Sequence, residues 1–357
     1  MRLMITGLIL LTAMCVNAER PLLLADSLSP YFTGFVPLES GLVLFIDHDG
    51  DLCRVDIGDP MSVEPLDMDW SPEEAGWARP GQISFIKGSQ DGSLICFGQQ
   101  VSVPDDLQNA EMYTPGPITV LVASTDGSDC RMLALVFEVG GGPNFDFTMD
   151  SEYIYGQPIL GCLPNPADYM AYWSGDDGPE IEGFIIDVLS GERSGGNGAV
   201  LGDGYYANPW SDLTAAGAYP PNVIVDITTQ EVLLESAAGD NADIISTWVL
   251  PDAGLAWKDD SQILRYADGR EVHNPAEDIL IYGRLSDGSY LFSIDSYQAP
   301  VLCGKINWET FDVADADTID GLDGYLGPWA SIRETPDGNG LLFESSNSLY
   351  LINIPRD

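Results

Sequence analysis

One stretch of this chain narrows the fold more than any other, the run from Ile83 to Val136. It reads ISFIKGSQDGSLICFGQQV, an insertion, then ITVLVASTDGSDCRMLALV. Four short apolar runs are joined in pairs by Gln90-Asp91-Gly92-Ser93 and by Thr125-Asp126-Gly127-Ser128. Asp-Gly between two strand-like runs is a strong hairpin signal, because glycine accepts the positive φ that a tight turn imposes. The stretch therefore predicts a four-stranded antiparallel meander.

Weaker copies recur along the chain. The first starts at Phe35, turns at Glu39-Ser40-Gly41 and at Asp49-Gly50, and ends near Val63. Later copies start near Phe145, Asn208, Ser246, Gly283 and Ser331, with turns at Ser190-Gly191, Thr228-Thr229-Gln230, Pro251 to Gly254, Asp268-Gly269, Ser286-Asp287-Gly288 and Pro336-Asp337-Gly338. Runs such as Leu42-Val43-Leu44-Phe45-Ile46 are apolar at every position, which predicts strands covered on both faces. The mean spacing of about 49 residues is that of a propeller blade or a solenoid repeat. Most units hold two hairpins, so the radial arrangement is expected: an all-β, single β-propeller of seven four-stranded blades, with six or eight also compatible. The last unit runs out of residues after its third strand. Arg20 to Ala25 (RPLLLA), which stands outside the repeats, is expected to supply the fourth strand and close the ring, removing two open sheet edges.

Residues 1–18 carry a different signal. Arg2, the apolar run Met4 to Val16 and the small-residue site Val16-Asn17-Ala18 predict a secretory signal peptide cleaved before Glu19. A lipoprotein anchored at Cys15 is the rival, and bulky Met14 fits it poorly. Residues 19–357 are then the propeller domain, exported to the periplasm or beyond, with no further domain expected after Asp357. A formal charge of −42, from 14 Lys and Arg against 56 Asp and Glu, argues against nucleic acid and anionic membrane surfaces as partners. Simple solubility accounts for that bias; a saline habitat or cation binding are the other readings. Beyond Cys15, five cysteines remain: Cys53, Cys96, Cys130, Cys162 and Cys303. Cys96 and Cys130 would lie on the second and fourth strands of one meander, about 9.5 Å apart and beyond disulfide reach. Mostly free, buried thiols are expected.

Thr247-Trp248-Val249-Leu250-Pro251-Asp252-Ala253-Gly254-Leu255-Ala256-Trp257 resembles the TolB-type, WD-repeat-like propeller repeat. Thr335-Pro336-Asp337-Gly338 with Leu341-Leu342-Phe343 is similar to it, as is Ser286-Asp287-Gly288 with Leu291-Phe292. Ser124 to Gly127 and Asp187 to Glu192 look like the second hairpin of that repeat. The units starting at Phe35 and Asn208 depart from it by lacking Pro-Asp-Gly at the first turn. The resemblance implies an exported binding scaffold and brings no catalytic residue.

Chemistry-bearing residues are few. Histidine occurs only as His48 and His273, both read as turn or linker residues. There is no G-x-S-x-G, H-E-x-x-H or Cys-x-x-Cys. Asp47, Asp49 and Asp51 place carboxylates at alternate positions, a weak calcium candidate, since hard oxygen ligands suit that ion. The pattern is not an EF-hand, and Asp also serves hairpin turns for geometric reasons alone. Asp315 to Gly321 is a second acidic loop of the same kind. Trp210, Trp248 and Trp329, near unit starts, are expected to pack between blades. The function read from this is a non-catalytic module that binds or scaffolds a protein on one propeller face, with the insertions 103–117 and 161–168 as contact loops. The alternative is a carbohydrate-active hydrolase or lyase, or a sugar-binding lectin, using acids and tryptophans at the channel mouth.

Overall fold

In the computed structural model the described residues are 20–29, 34–71, 76–77, 80–89, 91–104, 107, 117–137, 144–147, 153–159, 182–191, 206–207, 215–217, 223–226, 232–235, 244–250, 254–259, 264–266, 269–272, 279–294, 299–307, 312–319, 321–322 and 332–354. The predicted leader, the turns at 228–230 and 251–253, His273, Trp210, Trp329, Cys162 and nearly all of both insertions lie outside them.

The strands follow one another as antiparallel meanders. After β1 (Leu22–Ala25), the first sheet holds β2 (Phe35–Pro37), β3 (Leu42–Ile46), β4 (Leu52–Asp56) and β5 (Asp59–Pro65) in sequence order. Next come β6 (Pro80–Gly88), β7 (Leu94–Val101), β8 (Pro117–Ser124) and β9 (Arg131–Phe137), the meander expected from the Asp-Gly turns. The following unit, β10 (Asn144–Phe147), β11 (Tyr153–Ile159) and β12 (Glu182–Asp187), joins the same sheet through one pairing, Ile159 with Val136. That junction was not expected from sequence. Two further four-stranded sheets are β13 (Tyr206–Ala207) to β16 (Val232–Glu235) through β14 (Ala215–Gly217) and β15 (Val223–Asp226), and β17 (Ile244–Leu250) to β20 (Glu271–Val272) through β18 (Gly254–Asp259) and β19 (Leu264–Tyr266). A third contains β21 (Ile279–Arg284), β22 (Tyr290–Ile294), β23 (Leu302–Asn307) and β24 (Asp312–Thr318). Asp315 and Asp317 thus sit on a strand, because β24 pairs with β23 as far as Thr318 opposite Leu302; the acidic-loop expectation is corrected there.

The last sheet has the order β1, β27 (Ser348–Asn353), β26 (Gly340–Ser345), β25 (Ile332–Glu334). Its outer strand comes from the other end of the chain, as expected of Arg20 to Ala25: Leu22 pairs with Leu351, Leu23 with Tyr350 and Ala25 with Leu349. Each sheet is open, none closing on itself.

Packing explains why the strands are apolar at every position. On β3, Val43 and Phe45 face a core shared with Leu24 and Ala25 of β1, Leu342 of β26 and Leu349 of β27. Leu44 and Ile46 face the other way, onto Ile86 of β6, Ile95 and Phe97 of β7 and Leu121 of β8. All four are essentially inaccessible to solvent. On β26, Leu342 belongs to the first of these cores, whereas Leu341 and Phe343 pack with Tyr282, Leu285 and Leu291 of the preceding sheet. Covering a strand on both faces buries every side chain, each apolar one contributing about 1.5–3 kcal/mol. Strands of successive units also lie side by side, β2 by β6, β6 by β10, β11 by β13, β14 by β17, β21 by β25 and β1 by β5, which gives an all-β, propeller-like fold.

Candidate functional site

The turns carry most of the exposed polar chemistry, and one local device builds them. In Ser124 to Ser128, the Gly127 amide donates to the Ser124 carbonyl at 2.9 Å and the Asp126 carboxylate accepts the Ser128 amide at 3.0 Å. Asp287 takes the Ser289 amide at 2.8 Å, Asp337 the Asn339 amide at 3.1 Å and Asp91 the Ser93 amide at 3.1 Å. Each of these turns has its glycine at a φ between 67° and 89°. The aspartate closes a side-chain turn onto the amide two residues on, while glycine takes the left-handed position. These hydrogen bonds favour the ionised carboxylate. Asp337 is held below its usual value, first by the Thr335 hydroxyl and then by the Asn339 amide. Asp126, Asp91 and Asp187 are lowered in the same way.

Asp47, Asp49 and Asp51 lie in the β3–β4 turn. Asp47 is half-buried, and Oδ1 accepts the Asp49 amide at 3.0 Å and the Asp51 amide at 2.9 Å, so this oxygen organises the turn. Its Oδ2 accepts the Cys53 thiol at 3.7 Å. Burial, reinforced by Asp47, pushes the Cys53 thiol up to about 12. The structure brings Asp47, His48 and Asp49 together, one ligand atom from each within 4.8 Å of the others, and leaves Asp51 out of that group. His48 is exposed and sits 3.3 Å from Asp49 Oδ1. The turn is also clamped to the next sheet: Gly50 accepts the Ile83 amide at 2.8 Å, and Gln82 Nε2 donates to the Asp49 carbonyl at 3.2 Å. Gly50 has φ of 84°, and a Cβ there would meet the Gln82 side chain.

A second feature lies at the opposite edge of the first sheet. In a meander the β2–β3 and β4–β5 turns share one edge and the β3–β4 turn the other. Between the former pair and the Thr335–Gly340 turn of the last sheet is a groove of about 350 Å³. Glu39, Asp56, Asp337, Ile57 and Leu351 are among its lining residues, and among the described residues no Lys, Arg or His lines it. Asp56 Oδ1 accepts the Gly58 amide at 2.7 Å. Glu39 makes no hydrogen bond or ion pair among the described residues. Chemically the groove offers acceptors and negative charge beside a short hydrocarbon surface. Sequence reading marked Glu39 and Asp337 as turn residues only. Their meeting needs residues about 300 positions apart to be neighbours, and only the end-strand pairing signalled that.

The four described cysteines, Cys53, Cys96, Cys130 and Cys303, are free. Cys96 pairs with Val122 on β8, which separates it from Cys130, and Cys53 and Cys96 are buried. Cys130 is also pushed up to about 12, mainly by burial and then by the charge of Asp69. Trp77, in the linker between the first two sheets, is 2% exposed, and Trp70 donates Nε1 to Gln99 at 3.0 Å. Trp248 falls on β17.

No protein-family model matches the chain, and no curated protein does. Solved structures do. The WD40 β-propeller domain of Doa1 is 11% identical, covering 93% of this chain and 97% of that one at a TM-score of 0.47. A chain of the mitotic checkpoint complex is 10% identical over 95% and 94%, at 0.39. U3-55K is 11% identical over 93% of this chain and 96% of that one, at 0.50. At such identities the likeness concerns fold alone, and only the last score carries weight. It shows an overall fold shared along nearly the whole length of both chains, in keeping with the all-β, propeller-like stack of sheets described above.

Proposed function

We propose that this protein is an exported seven-bladed β-propeller that holds a protein partner without catalysing a reaction. The observation that carries the reading is the pairing of β1 with β27. It ties the two ends of the described chain into one blade, and so supports a closed ring whose edge turns are held rigidly for recognition. Counting β10–β12 as its own blade gives seven units, matching the sequence spacing. The TolB-type assignment within that reading rests on the sequence resemblance of Thr335-Pro336-Asp337-Gly338 and Leu341-Leu342-Phe343. Export rests on the predicted leader: cleavage before Glu19 would leave only Glu19, Arg20 and Pro21 ahead of the first strand.

The test is affinity capture from the native envelope with the mature protein, followed by reconstitution of the complex from purified components. A stoichiometric complex is the expected result. Binding on a glycan array, with no protein retained, would replace this reading with the lectin or carbohydrate-enzyme alternative.

Calcium at Asp47, Asp49 and Asp51 is a second reading, supported by the close approach of the Asp47 and Asp49 carboxylates. It predicts a melting temperature that rises with added calcium and falls with chelator. Melting indifferent to both would leave these residues to the turn alone.

A further inference from the structure

We propose that Asn339 is a modification site governed by the fold: it deamidates when the turn into β26 opens and is protected while that turn stands. The inference is independent of the binding-scaffold reading.

The chemistry starts from the dipeptide Asn339-Gly340. Glycine brings no Cβ to shield its backbone nitrogen and leaves the chain free to turn. In an open chain that nitrogen loses its proton and bonds to Cγ of the preceding asparagine. The bond from Cγ to Nδ2 breaks, and ammonia leaves with the proton. Water then opens the five-membered imide at one of its two carbonyls, giving aspartate or isoaspartate. The reaction needs a free Gly340 amide and a free Asn339 side chain.

The folded turn denies both. The Gly340 amide donates to the Thr335 hydroxyl at 2.9 Å, a buried contact. That hydroxyl is itself fixed, donating to Asp337 Oδ1 at 2.6 Å. Asn339 Nδ2, the leaving group, donates to Asp337 Oδ2 at 2.9 Å. The Asn339 carbonyl accepts the Ile354 amide at 2.9 Å, and Gly340 pairs with Asn353 at the end of β27. A buried, hydrogen-bonded amide gives up its proton only when its surroundings open.

Packing explains why so labile a pair stands here. Gly340 is buried, and a Cβ on it would lie 2.8 Å from Leu351 Cδ1 and 3.1 Å from the Ile352 carbonyl oxygen. Position 340 is therefore reserved for glycine, and the last sheet itself sets the reactive neighbour beside Asn339. The product then works against its own turn. A carboxylate at 339 has no hydrogen to donate to Asp337 and repels it, so each opening that leads to reaction leaves a permanent mark.

The experiment incubates the mature protein in mildly alkaline buffer below its melting temperature. Peptide mapping by mass spectrometry reads Asn339 separately from Asn197-Gly198, the other Asn-Gly pair. A synthetic peptide of residues 333–342 gives the unprotected rate. Thr335→Val removes the hydroxyl, Thr335→Ser keeps it, and thermal melts verify folding. In the folded wild type, Asn339 is expected to react about tenfold or more slowly than in the peptide, and faster as sub-denaturing urea is added. Thr335→Val should speed it about threefold or more, with Thr335→Ser staying within a factor of about two of wild type. A wild-type rate equal to that of the peptide, an unreactive peptide, or a folded Thr335→Val no faster than Thr335→Ser would overturn the proposal. Should Thr335→Val fail to fold, the wild-type urea series decides: a rising rate upholds the proposal and a flat one overturns it.

Discussion

At the scale of single residues, the chain invests its aspartates in geometry. Asp47 accepts two amides of its own turn, and replacing it by Ala leaves both to water while exposing the clamp onto β6. We expect Asp47→Ala to cost about 1–2 kcal/mol in a denaturant melt. Asp337 is a case where pH reports the same device. Its folded-state value is depressed, so its contribution is complete above the ordinary aspartate value of 3.8 and is lost as pH falls through the lower, folded one. The difference in melting temperature between wild type and Asp337→Ala should hold from neutral pH down to about 4 and shrink below it. A difference that instead grows on acidification would reverse the sign. Cys53 gives a third reading: with its thiol pushed up to about 12, only about one molecule in ten thousand is thiolate at pH 8. Native protein should therefore resist iodoacetamide at Cys53 and react there only after unfolding, which mass spectrometry can resolve.

At the scale of elements, β1 is a strand borrowed across the full length of the chain. Leu24 and Ala25 are fully buried against Val43, Phe45 and Leu349. Leu24→Ala should cost about 2–5 kcal/mol, as large-to-small changes in a packed core do. Deleting residues 20–25 should lower the melting temperature further and expose the edge of β27. Unchanged melting of that deletion would mean the pairing does not matter. These elements were also the most legible part of the sequence. Asp-Gly pairs gave away the hairpins because few residues tolerate positive φ, and Leu42 to Ile46 gave away two-sided burial because an exposed face would have alternated. Other features left no such trace. The bridge from Ile159 to Val136 is one residue pair between ordinary apolar strands. Asp315 to Gly321 reads as a loop because aspartates crowd turns, whereas pairing with β23 keeps Asp315 and Asp317 on the outermost strand of their sheet. The groove's acids are Glu39 and Asp337, each in an ordinary turn, and Asp56 at the end of β4, and they become neighbours only once the last sheet lies against the first.

At the scale of the whole molecule, charge and topology set the behaviour. With 56 acids against 14 bases, the folded state carries strong self-repulsion, which dissolved salt screens over about 10 Å at 0.1 M and 3 Å at 1 M. The melting temperature should rise as sodium chloride is raised through that range, with potassium chloride doing the same. A fall would mean attractive pairs dominate. Topology has a mechanical corollary. β1 runs antiparallel to β27, with Leu22 opposite Leu351, so the chain enters and leaves that sheet at one edge. Tension applied between the two termini would open the seam rung by rung, as one unzips a garment, instead of loading all its hydrogen bonds together. In a pulling experiment this protein should part at low force, its first lengthening coming from the release of the few residues of β1.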